Sequence, residues 1–285
     1  MTHRGPRHPR PPGLLVVKVG GSCLDELAPE WWDQLAEHMR ATARDGPRPK
    51  LVVVHGWSRM VSAETPEGQP DFIVDKHGFR SRYTTPAVLE EIGRVAATLR
   101  ERIAGLLRER GLRTQTVCGA SSRLLRAEVR QNTWWVGDEL VPLTNLVGPV
   151  REVDEARLDV LLAESDAIVV SPLAVAAEHP MVNTDADRAA AAIAGTGDAE
   201  RLVLVMDAEA FQADGRPVRT AVRSELKGLA RHAKGGMSKK LRAVEEAFAG
   251  GVRQVAIGSA SVPDLLGGKA GTLITAGDPT SPPTH

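Results

Sequence analysis

Two short apolar runs constrain this chain most, because each stops on glycine and an amphipathic stretch separates them. LLVVKVGG (14–21) and KLVVVHG (50–56) are β-branched runs too short for helices. Between them, residues 29–45 place Trp31, Leu35 and Met39 on one helical face. The spacing predicts a βαβ unit, whose two strands run parallel. The pattern then repeats. PAVLEEIGRVAATLRERIAGLLRERG (86–111) reads as a long amphipathic helix stopped by Gly111, and RTQTVCG (113–119) as a strand. Residues 153–165 read as a helix and 166–174 as a buried strand. An Ala-rich helix over 184–195, a strand over 201–207, a turn and helix over 235–251, a strand over 252–258 and GTLI (271–274) complete the series. Such alternation predicts a three-layer αβα sandwich around a mostly parallel sheet.

Two segments interrupt the alternation. Residues 57–85 are rich in Gly, Pro and charge and read as an exposed excursion, and residues 121–141 as a β-rich insertion. MTHRGPRHPRPPG (1–13) has basic residues and prolines but no apolar segment behind them, so it reads as a disordered tail rather than a secretory signal. Residues 276–285 read as a second tail.

Composition excludes several function classes. Lys and Arg number 36, as do Asp and Glu, so no global field attracts nucleic acid. No apolar run reaches the ~18 residues that a membrane span needs. Cys23 and Cys118 form no CxxC pair, and two reduced thiols in a cytoplasmic protein are the expectation.

Ligands of parallel sheets gather at the carboxyl ends of the strands. Lys18 precedes Gly20, Gly21 and Ser22 there, where glycines admit a polyphosphate to the backbone and a lysine adds charge; a plain strand-end turn is the alternative. Neither GxxxxGK[ST] nor GxGxxG is present. His55-Gly56-Trp57 forms a second such turn, or a plain loop. In HGFRSRYTT (77–85), Arg80 and Arg82 share a side of an extended segment and suit a carboxylate, or are solvated. In MVNTDADR (181–188), Asn183, Asp185 and Asp187 precede a helix, as caps or as functional carboxylates. In AKGGMSKK (233–240), lysines in a helix's first turn oppose its dipole; they suit a bound anion or are simply exposed.

VKVGGS, VVVHG, SRYT, NTDAD, LVMD, GGMSKK and GTLI, in this order, resemble the amino acid kinase family over about residues 14–274. Within it the chain is most similar to acetylglutamate kinase and to the kinase that acts on aminoadipate or glutamate attached to the small carrier protein LysW; SRYT leans toward the latter. The resemblance implies two lobes, an acceptor-binding lobe over 14–175 and a nucleotide-binding lobe over 176–275. It implies phosphoryl transfer from ATP, with Mg²⁺ on the phosphates and no direct protein ligand to the metal. Lys18 and Lys240 then stabilise the transferring group and the leaving β-phosphate, and Asp187 positions both. Gly20, Gly21 and Gly56 donate backbone N–H groups. Arg82 and Asn183 grip the acceptor, with Trp57 beside it, and Asp207, Gly235, Gly236 and Met237 line the nucleotide. An acceptor carboxylate is ionised at pH 7, so no general base is required.

The implied partners are a small acidic substrate, presented by a small acidic carrier, and a second copy of the chain along the 86–111 helix. Arg80, Arg123, Arg126 and Arg130 are candidates for a basic rim that meets the carrier. Other acceptors on the same fold are N-acetylglutamate and a phosphate or phosphonate; a non-catalytic binding module is the remaining alternative. Trp57 stands where the family has further glycines. Ala208-Glu209-Ala210 replaces a Val-x-Gly turn, and Cys118-Gly119-Ala120-Ser121 an SG-containing one. These departures point to an unusual substrate.

Overall fold

The apolar runs become strands because both their faces can be buried. The computed structural model describes residues 13–42, 48–57, 59–61, 71–75, 80–129, 132–136, 138–233 and 236–277. In chain order the elements are β1 (Leu14–Val19), α1 (Pro29–Thr42), β2 (Lys50–His55), β3 (Phe72–Asp75), β4 (Arg80–Arg82), α2 (Pro86–Glu109), β5 (Thr114–Cys118), β6 (Leu125–Ala127), β7 (Asn132–Val136), β8 (Glu139–Leu143), β9 (Val150–Val153), α3 (Glu155–Glu164), β10 (Ala167–Ser171), β11 (Leu173–Ala176), β12 (His179–Asn183), α4 (Ala186–Thr196), β13 (Arg201–Val205), β14 (Gln212–Ala213), β15 (Arg216–Pro217), β16 (Thr220–Val222), α5 (Leu226–Leu229), α6 (Gly236–Ala249), β17 (Gln254–Gly258), α7 (Val262–Leu266) and β18 (Thr272–Thr275).

Eight strands form one sheet in the order β16-β18-β17-β13-β1-β2-β10-β5. The pairs from β17 to β5 are parallel, and β18 runs antiparallel to β17. Alternate residues of β1 and β2 enter different cores. Val17 and Val53 pack with Trp31, Leu35, Ile92, Leu99 and Val262 of α1, α2 and α7. Val16 and Val52 pack with Leu158, Ile193 and Val244 of α3, α4 and α6. The sandwich is therefore the expected three-layer one. Strands from both sides of residue 175 share this sheet. Gly111, at φ +81°, ends α2's run, a conformation that an L side chain rarely adopts.

The excursion over 57–85 departs from its reading. Within it, β3 and β4 pair with each other and with β7 and β8 as a second, four-stranded sheet. Ile73, Arg82 and Thr84 are buried. Strands of three or four residues are too short to show a hydrophobic period, so the segment's charge dominates its appearance in the sequence. Gly13 and Ala276, assigned to the tails in the sequence, make backbone hydrogen bonds to the sheet strands and their flanks. Gly13 O accepts from Lys50 N, and Ala276 N donates to Arg253 O. Among the described residues, no helix is long and apolar enough to cross a membrane.

Candidate active site

The parallel pairing of β1 with β2 and β13 brings three strand ends together. The turn after β1 and the turn after β2 then touch backbone to backbone. A Cβ on Gly21 would lie 2.7 Å from Trp57 N, and one on Gly56 would lie 2.9 Å from Gly21 N. Only glycine allows that approach. The expected donors need one correction: Gly20 N already donates to Val205 O and Gly56 N to Val19 O, so both N–H groups are used within the fold. Among the described residues, the N–H groups of Gly21 and Trp57 donate to no protein acceptor. The Trp57 indole is buried in the α1-side core, edge-on to His55 at 5.9 Å.

Lys18, Asp187 and Lys240 converge. Lys18 Nζ lies 2.8 Å from Asp187 Oδ1, and Lys240 Nζ lies 2.9 Å from Asp187 Oδ2. Local sequence explains each placement. Asp185 caps α4, accepting from the N–H groups of Asp187 and Arg188, which puts Asp187 in the first turn. Arg188 holds Glu246 through paired hydrogen bonds of 2.8 and 2.6 Å, tying α4 to α6. Gly195 and Gly250 let these helices approach closely at their other ends, since a Cβ on Gly250 would sit 2.8 Å from Gly195 Cα. Lys240 thereby faces Asp187, while Lys239 is exposed.

Three charges share a nearly dry space with one net positive charge. Burial alone would raise the Asp187 pKa, but the two ammonium groups pull it down to about 2. Burial also opposes the Lys18 charge, yet Asp187 outweighs it and raises that pKa. Lys240 is lowered, by burial first and then by repulsion from Lys18. The centre can hold further negative charge, as a phosphoryl group carries.

On the nucleotide-side candidates, exposed Asp207 accepts a 2.7 Å hydrogen bond from Ser22 Oγ. It thus joins the end of β13 to the turn after β1. Gly236 opens α6, and Met237 packs partly into the core. Gly235 lies outside the described residues.

Arg82 is buried, with its guanidinium carbon 5.0 Å from the Phe72 ring centroid. Burial lowers its pKa, and Arg80 adds to this while Asp71 opposes it. Asn183 meets this segment two residues on, donating to Thr84 Oγ1 at 3.3 Å. The buried Asn145 carries the arrangement. Its Oδ1 accepts from Thr84 N at 2.7 Å, and its Nδ2 donates to Arg82 O at 3.0 Å. Asn145 and Thr84 were not among the expected site residues. The signal that could have found Asn145 is an amide residue in an otherwise apolar stretch, LTNLVG (143–148).

A second unforeseen group lies beneath the turn after β2. His55 Nε2 lies 2.9 Å from Ser171 Oγ, and Arg100 donates to the same hydroxyl at 2.9 Å. Burial drives the His55 pKa down to about 4, so the ring is neutral near pH 7. In the expected basic rim, Arg126 lies 3.8 Å from Glu152 and is partly neutralised by it. Arg123 is exposed, Arg80 stacks 3.7 Å over Phe72, and Arg130 lies outside the described residues. Among the described residues, no three His, Cys, Asp or Glu side chains are grouped to hold a metal.

A model of the amino acid kinase family matches residues 13–259. A LysW-aminoadipate/LysW-glutamate kinase of Saccharolobus islandicus is 32% identical over 252 residues, covering 86% of this chain and 92% of the relative. A counterpart in Aeropyrum pernix, provisionally given the same name, is 31% identical over 92% of this chain and 98% of its own. Among solved structures, an N-acetylglutamate synthase of Neisseria gonorrhoeae superposes with a TM-score of 0.72 at 21% identity, over 93% of this chain and 60% of the other. A carbamate kinase of Giardia lamblia gives 0.64 at 14% identity, over 93% and 99%. These two likenesses concern the fold.

Proposed function

The chain belongs to the amino acid kinase family and is a kinase, and from that premise we propose that it phosphorylates the side-chain carboxylate of an N-blocked acidic amino acid with ATP. In this reading the acceptor is aminoadipate or glutamate held on a small carrier protein, as the names of the relatives have it. The observation that carries the reaction type is the pair of buried lysines on one carboxylate.

An acceptor carboxylate oxygen attacks the γ-phosphorus, the bond from that phosphorus to the bridging oxygen breaks, and ADP leaves with the electron pair. The products are an acyl phosphate and ADP. Such a transfer asks the protein for alignment and neutralisation rather than covalent chemistry. Lys18 meets the oxygens of the group in flight, and Lys240 the charge that develops on the leaving phosphate. Asp187 keeps both ammonium groups protonated and aimed, at distances of 2.8 and 2.9 Å. Among the described residues, the N–H groups of Gly21 and Trp57 have no protein acceptor and serve as backbone donors to the reacting oxygens. A Mg²⁺ ion on the phosphates would neutralise their charge. Arg82, supported by Asn145, holds the acceptor's remaining carboxylate. The acceptor thus binds over residues 14–175 and the nucleotide over 176–275.

The test is trapping of the acyl phosphate with hydroxylamine. LysW carrying glutamate, LysW carrying aminoadipate, N-acetylglutamate and a phosphate monoester are offered in turn with ATP and Mg²⁺. ATP-dependent hydroxamate from a LysW-linked acid is the expected result. Phosphorylation of the monoester alone, or of none, would overturn the reading.

A further inference from the structure

We infer that one face of the sheet β4-β3-β7-β8 is the docking surface for the protein that carries the acceptor, with Trp135 and Leu140 as its apolar anchors. The inference rests on the carrier-linked reading above and says where the carrier sits.

Registers define the face. Val74 pairs with Arg80 on one side and with Trp135 on the other, and Trp135 pairs with Leu140. Directly paired residues point to the same face, so Arg80, Val74, Trp135 and Leu140 form one row across four strands. Phe72 lies two residues from Val74 and pairs with Arg82, which puts the candidate acceptor-gripping arginine on this same face. Ile73 and Trp134, on the opposite face, are buried. The row spans three strand spacings, roughly 14 Å. An acidic amino acid at Arg82 does not reach its far end.

That far end is apolar and open. Trp135 is 45% exposed and Leu140 42%; among the described residues, Val160 is the one other exposed large hydrophobic. Adjacent exposed apolar side chains mark a protein contact, and tryptophan is enriched among the anchors of such contacts. At the other end of the row, Arg80 is exposed on the strand that also carries Arg82. The partner is therefore a protein whose carboxylates lie over Arg80 and whose apolar side chains cover Trp135 and Leu140. Pro142 sits in the edge strand β8 and cannot donate to a further strand, which disfavours pairing of two copies along that edge.

The experiment compares the wild-type full chain with one that carries Trp135→Ala and Leu140→Ser together. Each is assayed with LysW carrying glutamate and with N-acetylglutamate, and LysW-glutamate binding is measured directly by calorimetry. The expected result is about a tenfold weaker Kd and higher KM for LysW-glutamate, with kcat and the KM for ATP within about twofold. Any turnover of N-acetylglutamate stays unchanged. Unchanged LysW-glutamate binding overturns the inference. So does an equal loss with both acceptors, or a shift from dimer to monomer in sedimentation, which would make a second copy the occupant. If wild-type enzyme acts on N-acetylglutamate and does not bind LysW-glutamate, the docking surface falls and the carboxylate kinase stands. Binding of LysW-glutamate at Trp135 without hydroxamate formation leaves the surface and sinks the reaction.

Discussion

The two halves of the site are held by different forces. The phosphoryl centre consists of charges on regular elements, with Lys18 on β1, Asp187 on α4 and Lys240 on α6. Its two ion pairs are nearly dry, and α4 and α6 are clamped by Arg188–Glu246 and by glycine contacts. The acceptor half consists of neutral hydrogen bonds among Thr84, Asn145 and Asn183, beside strands of three to five residues. In the reaction proposed above, the neutralisation of phosphate falls to ion-paired groups on regular elements, and the fit to one acceptor to hydrogen bonds that single substitutions can rearrange.

The contrast breaks first at Asp187. Asp187→Asn leaves two buried ammonium groups facing each other across a neutral amide. Breaking one partner of a buried ionic group costs about 3–5 kcal/mol, and misplacing the lysines costs kcat about 10²-fold or more. The unfolding midpoint and kcat measure the two effects. Retention of kcat within tenfold would mean that the lysines are positioned without the carboxylate. Acid should not reproduce this loss near neutrality. The folded pKa of Asp187 is depressed to about 2, so its stabilisation is present above the ordinary carboxylate value and disappears only as pH falls through about 2.

Lys240 sharpens the contrast at the alkaline end. Burial and Lys18 lower its pKa, so it gives up its proton at a lower pH than a free lysine does. If its ammonium neutralises the leaving phosphate, the alkaline limb of kcat falls below the ordinary lysine value of 10.5. Lys240→Arg keeps a cation that does not titrate there. It is expected to lower kcat at neutral pH through its different geometry and to move the limb to higher pH. A limb in the same place for both proteins would assign the titration to another group.

The turns that carry Lys18, Asp187 and Lys240 were legible in the sequence for local reasons, while their convergence followed only from the family resemblance. Glycine at a strand end, a capped helix start and a lysine in a first turn are signals of two to eight residues. Choosing Lys240 over Lys239 came from the family resemblance; the structure supplies the reason, because only residue 240 turns toward α4. The rest was hidden by distance. Ser22 and Asp207 meet across 185 positions, and Asn145 and Thr84 across 61. No local pattern announces either pair. The direction of the Trp57 side chain was also hidden, because the sequence shows only a bulky residue beside a glycine. The Trp57 backbone stays at the cradle while the indole enters the core. The β3–β4 pair was unreadable because strands this short carry no period.

The smallest expected effect belongs to Asn145. Its amide joins Arg82 O to Thr84 N, so Asn145→Ala leaves a buried carbonyl and a buried N–H without partners. Unmet buried groups cost about 1–3 kcal/mol each, and the segment will shift to recover part of that. Because Asn145 holds the Arg82 backbone, the shift displaces the acceptor's anchor and leaves Lys18, Asp187 and Lys240 in place. The acceptor KM should rise about tenfold, while kcat and the KM for ATP stay within about threefold. Asn145→Asp separates positioning from simple destabilisation. Its carboxylate can still accept from Thr84 N but cannot donate to Arg82 O, and its charge lies near the anchoring arginine. It should therefore raise the acceptor KM at least as far as alanine does. A uniform fall in kcat in both variants, with no change in the acceptor KM, would show that the two halves are coupled after all.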